Sequence, residues 1–179
     1  MRKLPPQSLL REILDYNRLT GVFTWKVEPR TVGPLFGKKA GTRKRGYSFI
    51  GFREYGQIGT HRLAWIWCYG DIPAGVEVDH KDGDASNNAI GNLRLATSTQ
   101  QKQNKGIQSN NRSGLKGAYY HACRKGKKWR SQIKVGPDLI FIGYFHTAEE
   151  AHHAYLAAAE EYFGEYACRE PSRVRRVAA

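Results

Sequence analysis

The chain is poor in cysteine and methionine, with 3 Cys and 1 Met in 179 residues. Cys68, Cys123 and Cys168 are odd in number, far apart and never in a C-x-x-C pair. That spacing argues against a disulfide framework and a zinc ribbon, so no structural zinc is expected and a reducing, intracellular compartment is the simple reading. Acidic residues are also scarce, 16 against 29 Lys+Arg, for a net charge of +13. No run of about eighteen apolar residues occurs, so no membrane contact is expected. The N-terminus begins basic at Arg2 and Lys3, but Arg11, Glu12 and Asp15 break the apolar stretch behind it, unlike a secretory signal. What is present is 40% hydrophobic and 12% aromatic residues, enough to build real cores. The positive surplus calls for an anionic partner, nucleic acid by default.

The charge is unevenly spread. Residues 1–70 carry 13 basic and 4 acidic residues, residues 71–106 carry 4 and 5, and residues 107–179 carry 12 and 7. A locally acidic centre of Asp71, Glu77, Asp79, Asp82 and Asp84 therefore lies between two basic flanks. Flanks that attract a polyanion around a centre able to hold a cation suit metal-dependent phosphodiester chemistry. The plainer reading is that Asp is common in turns.

Ser8–Tyr16 reads as a short amphipathic helix with Leu9, Leu10, Ile13 and Leu14 on one side. Val22–Val27 and Tyr47–Phe52 read as strands, and His61–Tyr69 as a buried helix. Between the strands, Gly33–Gly46 reads as a basic loop, whose Lys38, Lys39, Arg43, Lys44 and Arg45 are candidates for phosphate contact. The middle section runs strand (Val76–Asp79), polar loop (Lys81–Gly91), strand (Leu93–Thr97) and Gln-rich helix (Ser98–Lys105). A polar linker follows, then three strand candidates (Leu115–Ala122, Trp129–Val135, Ile140–Phe145) and a helix over Thr147–Phe163. Thr147 and Glu150 form a capping box, and Gly164 fits the stop. Cys168–Ala179 reads as a basic tail.

Phosphodiester cleavage needs a base for water, a group to stabilise the leaving oxygen and cations to neutralise the phosphate. A His at a strand end can be the base, since its ordinary pKa of about 6.5 lies near working pH. The residue before it projects from the other side of the strand, so Asp79 can hold a hard divalent ion while His80 faces the substrate. Gln101 and Asn104, three apart on the following helix, share a face and offer an amide oxygen as a second ligand. Few protein ligands plus water suit Mg²⁺ or Mn²⁺. The plainer readings are a turn Asp beside an exposed His at 79–80, turn residues at Asn87 and Asn88, and a packed helix residue at His61. His152 and His153 read as structural, and Trp25, Trp65 and Trp67 as core.

The run Val78-Asp79-His80-Lys81-Asp82-Gly83, then Asn87-Asn88, then Gly91-Asn92-Leu93-Arg94-Leu95-Ala96-Thr97, resembles the HNH endonucleases of the phage and intron-encoded homing type. His61-Arg62-Leu63-Ala64-Trp65 upstream is usual for that type as well. The resemblance implies a ββα-metal (His-Me finger) hairpin over about 76–105. It implies Asp79 as a metal ligand, His80 as the general base, and Asn92 as the residue that braces the hairpin and the His. The final ligand departs from the pattern: the ninth residue past Asn92 is Gln101, and the next Asn is Asn104, favoured for its shorter amide. It also implies a double-stranded DNA substrate, one Mg²⁺ or Mn²⁺ per active site, and a phage or mobile-element protein acting in the host cytoplasm. A single such centre makes one nick; two cuts need a dimer or sequential action.

In the C-terminal section, Arg130, Gln132 and Lys134 alternate with Trp129, Ser131, Ile133 and Val135. Together with Ser113–Tyr119, Ile142–Phe145 and the Ala-rich helix, this section is similar to an AP2/ERF domain. That likeness implies a three-stranded antiparallel sheet packed on one helix. Its DNA-contacting positions are Lys116, Tyr119, His121, Lys128, Gln132, Lys134 and Phe141, with Arg130 added on charge. The expectation is therefore an α+β protein with a basic lobe and nuclease domain over 1–106, a linker over 107–113, an AP2-like domain over 114–167 and a tail over 168–179. The alternative is a non-cleaving DNA-binding regulator whose nuclease hairpin is degenerate.

Overall fold

The N-terminal helix is shorter than its apolar pattern suggests. In the computed structural model, which describes residues 3–26, 35–104, 107, 111, 113–122 and 125–168, α1 spans Gln7–Ile13 and β1 follows at Leu14–Asn17. Leu14 and Tyr16 are buried while Asp15 and Asn17 are exposed, and that period of two hands the segment to a strand. β2 (Val22–Trp25) pairs with it antiparallel, Tyr16 opposite Phe23. The chain folds as two compact units, Met1–Thr97 and Ser98–Ala179.

In the first unit, β3 (Thr42–Lys44), β4 (Tyr47–Phe52) and β5 (Gly56–Gly59) form a sheet in the order β3-β4-β5. The basic stretch read as a loop thus ends in a hairpin. Its turn residues Arg45 and Gly46 have φ of 51° and 87°, as a two-residue turn that follows the strand twist requires. Helix α2 (Thr60–Tyr69) turns Leu63, Ala64 and Ile66 into the core beside Leu10, Leu14, Phe23 and Ile50. Val78 and Leu93 join that same cluster. They anchor the hairpin of β6 (Glu77–His80) and β7 (Leu93–Ala96), which pairs His80 with Leu93 and Asp79 with Arg94. Val27–Pro34 lie outside the described residues.

The second unit begins with α3 (Ser98–Asn104), so the helix expected to complete the nuclease domain clusters with the C-terminal unit. β8 (Ala118–Tyr120), β9 (Trp129–Val135) and β10 (Asp138–Phe145) form an antiparallel sheet in the order β10-β9-β8. Helix α4 (Ala148–Phe163) covers one face, packing Tyr155, Ala159 and Phe163 on Ile133. Gly117 has φ +78° and lies against the Tyr155 ring, where a Cβ would collide with it. The Thr147 hydroxyl accepts the Glu150 N–H at 3.1 Å, and the Glu150 carboxylate accepts the His146 N–H at 3.0 Å, so the capping box forms one residue wider than its ideal. Among the described residues, neither Cys68 nor Cys168 forms a disulfide. Cys123, most of the linker, and the tail beyond Cys168 lie outside the described residues. Among the described residues, no helix is long and apolar enough to cross a membrane.

Candidate active site

β6 alternates as a half-buried strand should: Val78 and His80 turn inward, Glu77 outward, and Asp79 sits between. The two residues expected to carry the chemistry therefore leave opposite sides of the strand. Asp79 faces its cross-strand partner Arg94, whose Nε and Nη2 donate to Asp79 Oδ2 at 3.2 and 3.1 Å. The Arg94 side chain is only 8% exposed and that of Asp79 16%, so the pair is shielded from water. Such a pair holds the carboxylate still, because releasing it would strand a buried guanidinium. A cation held by Asp79 would share this carboxylate with Arg94.

Two other carboxylates of the acidic centre, Asp82 and Asp84, build the loop. Asp82 accepts the Asp84 N–H at 2.8 Å, the Asn92 amide at 2.9 Å and the Asn87 amide at 2.7 Å. Asp84 accepts both the Ser86 N–H and the Ser86 hydroxyl, at 2.9 and 2.8 Å. Those bonds hold the Asp84 carboxyl below the usual range, with the Arg43 and His80 charges adding to the effect. Asn92 accepts the Asp82 N–H at 3.2 Å and donates to the Asn87 carbonyl at 2.9 Å, so it braces the loop end to end.

The His80 ring is held by a different residue. Asn88 is 4% exposed, and its Oδ1 lies 3.1 Å from His80 Nε2. Its Nδ2 donates to the Ser86 carbonyl at 3.3 Å, which fixes the amide so that oxygen, not nitrogen, faces the ring. In the neutral ring, Nε2 then carries the proton and Nδ1 the lone pair. The Asn88 carbonyl in turn accepts the Tyr16 hydroxyl at 2.7 Å, and the Ile90 N–H reaches the Arg18 carbonyl at 3.1 Å. The backbone of Gly21 lies hard against Asn88, with no room for a side chain. The β1–β2 hairpin thus latches the loop that orients His80. Asn88 was read from sequence as a turn residue; its neighbour Asn87 is one, and only burial separates them.

Two further rings border His80. The His61 centroid is 5.3 Å away and that of Tyr47 6.3 Å, while Tyr47 and His61 are 5.8 Å apart. Burial, the like charge of His80 and Arg62 push the His61 pKa down to about 3, so it is neutral at ordinary pH. Tyr47 stands on β4 opposite Lys44, and β3 brings Arg43, so the basic hairpin edges the site. Lys38 and Lys39 run along β2, exposed, through the Trp25 N–H to the Lys38 carbonyl and the Thr24–Lys39 bridge. Gln101 and Asn104 lie on α3 in the second unit, and the Asn104 side chain is outside the described residues.

On the second unit's sheet, the cross-strand register places Tyr119, Arg130 and Tyr144 on one face, with Gln132 beside Phe141 and Lys134 beside Leu139. Ser131 and Ile133 are buried on the other face, against α4. His121 and Lys128 are exposed and joined by the His121 N–H to the Lys128 carbonyl at 2.8 Å. Lys116 departs from the expected contact set. Its Nζ donates to the Gln103 carbonyl at 3.2 Å and lies 5.7 Å from the Tyr155 ring centroid, and burial lowers its proton affinity. A half-buried amine spent on packing against α4 does not project from the sheet's outer face.

Residues 59–103 match the HNH endonuclease family. That span holds an HNH endonuclease domain. It includes His61, Asp79, His80, Asn88, Asn92 and Gln101, and it ends one residue before Asn104. The chain is 32% identical over 121 residues to a protein described as an uncharacterized HNH endonuclease of Acanthamoeba polyphaga mimivirus, covering 64% of this chain and 58% of the relative. It is 36% identical over 73 residues to Protein 3.8 of Escherichia phage T7, covering 41% and 59%. The chain thus spans under three fifths of these relatives' length. No solved structure matches significantly. The family match does not extend to the C-terminal sheet. Among the described residues, no cluster of three or more His, Cys, Asp or Glu is placed to hold a metal. The Asp79 carboxylate of the first unit is a hard oxygen donor of the kind Mg²⁺ and Mn²⁺ accept alongside water.

Proposed function

We propose that the protein is a metal-dependent DNA endonuclease of the HNH homing type, cutting a phosphodiester at a recognised site. The observation that carries this reading is the Asn88–His80 hydrogen bond inside the HNH domain, which sets the imidazole tautomer of a general base. His80 Nδ1 takes a proton from water, and the resulting hydroxide oxygen bonds to phosphorus as the bond from phosphorus to the 3′ oxygen breaks. The products carry 5′-phosphate and 3′-hydroxyl ends. Asp79, with Gln101 or Asn104 and water, would hold Mg²⁺ or Mn²⁺, which neutralises charge on the leaving oxygen. Arg94 keeps Asp79 in place, and Asn92 keeps the loop closed. Lys38, Lys39, Arg43, Lys44 and Arg45 neutralise backbone phosphates from the N-terminal side.

The C-terminal unit serves as an AP2-like DNA-binding module. Its outer sheet face, with Tyr119, Arg130, Gln132 and Lys134, and the nearby His121 and Lys128, meets the duplex. The support is charge and register: cations and an amide in one row on the face α4 leaves uncovered. By this reading the protein acts on DNA inside a host cell.

The test is divalent-dependent nicking of a supercoiled plasmid pool by the wild-type chain and by His80→Ala. The variant should lose cleavage and keep DNA affinity; a variant that nicks at the wild-type rate overturns the mechanism. Gln101→Ala and Asn104→Ala, titrated with Mn²⁺ side by side, decide the second ligand. The rival reading, a DNA-binding regulator with a silent hairpin, draws on the Asp79–Arg94 ion pair, which engages the carboxylate without a metal. A wild-type chain that binds DNA but never nicks it with Mg²⁺ or Mn²⁺ would favour that rival.

A further inference from the structure

We propose that His61 is a second catalytic imidazole, donating a hydrogen bond from Nε2 to an oxygen of the scissile phosphate beside His80. The inference rests on the nuclease reading and adds a substrate-touching residue to it.

Three observations carry it. The first is place: the ring stands on the first turn of α2, 5.3 Å from the His80 ring and inside the span that matches the HNH family. The second is an unmet hydrogen-bonding capacity. His61 Nδ1 is buried without a partner, an arrangement a purely structural histidine avoids. The third is orientation. The ring packs edge-on against the backbone of Gly59, where a Cβ would come within 2.5 Å of His61 Cε1, 3.0 Å of Nδ1 and 3.5 Å of Nε2. Nδ1 is the closer of the two nitrogens to Gly59, and it is the one buried from solvent. A buried unpaired N–H costs more than an under-used acceptor, so the lone pair is assigned to Nδ1 and the proton to Nε2, the nitrogen farther from Gly59.

The chemistry suits the position. His80 must accept a proton, so a neighbour that competed for protons would work against it. A neutral imidazole gives a directional donor without a second titrating site. Neutral histidine is used in this way in enzymes that polarise a substrate oxygen. Tyr47, 5.8 Å from His61 and partly exposed, fills the side of the ring toward the basic hairpin. The donor would meet charge that grows on the phosphate oxygens during attack, which is where a fixed hydrogen bond accelerates a reaction.

The test uses the full chain, a supercoiled plasmid pool and Mn²⁺ or Mg²⁺. His61→Phe keeps the ring's bulk and removes both nitrogens; His61→Gln keeps a donor near the Nε2 position. The expected result is a single-turnover nicking rate at least tenfold lower for His61→Phe, with DNA affinity and thermal midpoint unchanged or improved. His61→Gln should recover a substantial part of the rate despite packing less well. A structural role predicts the reverse order, so His61→Phe cutting within twofold of wild type, or His61→Gln cutting no better than His61→Phe, overturns the proposal. A variant that fails to fold is replaced by His61→Gly with added imidazole, where rescue of the rate supports the proposal and no rescue opposes it. A wild-type chain that makes no cut overturns the nuclease reading itself; a wild-type chain that cuts while the variants match it overturns this inference alone.

Discussion

Replacing Asn88 by Ala removes the acceptor that pairs with His80 Nε2 while leaving the rest of the latch in place. The Tyr16 hydroxyl bonds the Asn88 main-chain carbonyl, which alanine retains. What is lost is a buried side-chain hydrogen bond, about 1 kcal/mol net, and what remains is a buried donor on His80 without its acceptor, a further cost of about 1–3 kcal/mol. Part of that cost falls on folding. On the proposed mechanism the rest is felt by His80: the ring can turn, or move its proton to Nδ1, and either change removes the lone pair from the water. If about 1.4–3 kcal/mol of positioning is lost at the transition state, the single-turnover rate falls between about tenfold and a hundredfold or more. Plasmid nicking measures the rate, thermal unfolding the stability, and ¹⁵N chemical shifts of the His80 ring the tautomer. Asn88→Asp provides a second arm, since a carboxylate stabilises a second ring proton and should confine cleavage to higher pH. A full wild-type rate in Asn88→Ala, with only the melting temperature lowered, would refute the argument that this amide orients the base.

Other outcomes follow from the same geometry. His61 is depressed to about 3 in the folded state, below its ordinary value of about 6.5, so its contribution to stability is full above pH 6.5 and is lost as pH falls from there through 3. Its share of the slope is at most about 1.4 kcal/mol per pH unit, and His61→Phe should flatten acid unfolding curves in that window. Burial raises the Tyr16 hydroxyl's pKa, so stability held below the ordinary tyrosine value of about 10 should decline above it, and Tyr16→Phe should remove that decline at the cost of one hydrogen bond. Arg94→Leu strands a mostly buried carboxylate and should destabilise the chain by about 3 kcal/mol in denaturant unfolding; a loss under 1 kcal/mol would show that Asp79 does not need its partner. Thr147→Ala, which removes the cap of α4, should cost about 1 kcal/mol in the same assay, with no change in nicking.

Much of the candidate site was legible because strand periodicity is a local signal. Val78, Asp79 and His80 alternate in sequence and alternate in burial, so the placing of Asp79 and His80 on opposite sides of β6 could be read directly. Thr147 and Glu150 announced their helix in the same local way. The misreadings have physical causes. Leu14 belongs to both a helical and an alternating pattern, and pairing with Trp25 in β2 decided for the strand. The Arg45-Gly46 turn lacks the Asn-Gly signature of a tight hairpin, so Thr42–Lys44 passed for loop. Asn88 and Asn87 are chemically identical neighbours; one is assigned to His80 by a hydroxyl that arrives from residue 16, a separation no local pattern reports. Lys116 was placed among the DNA-contacting positions by the AP2/ERF likeness, and a family pattern does not reveal that this side chain packs on the Tyr155 ring.

The latch from Tyr16 and Gly21 to Asn88 bears on how this HNH motif can be inherited or borrowed. A ββα hairpin is small enough to be thought of as a portable cassette, cut out over about thirty residues and set into a new frame. Here the loop carrying the imidazole's anchor is stapled by a β-hairpin some seventy positions upstream. Recombination or grafting that moved residues 76–105 alone would carry every chemical group named in the motif and leave behind the clamp that aims one of them. The smallest transferable unit is therefore set by the reach of the Tyr16 hydroxyl rather than by the length of the motif.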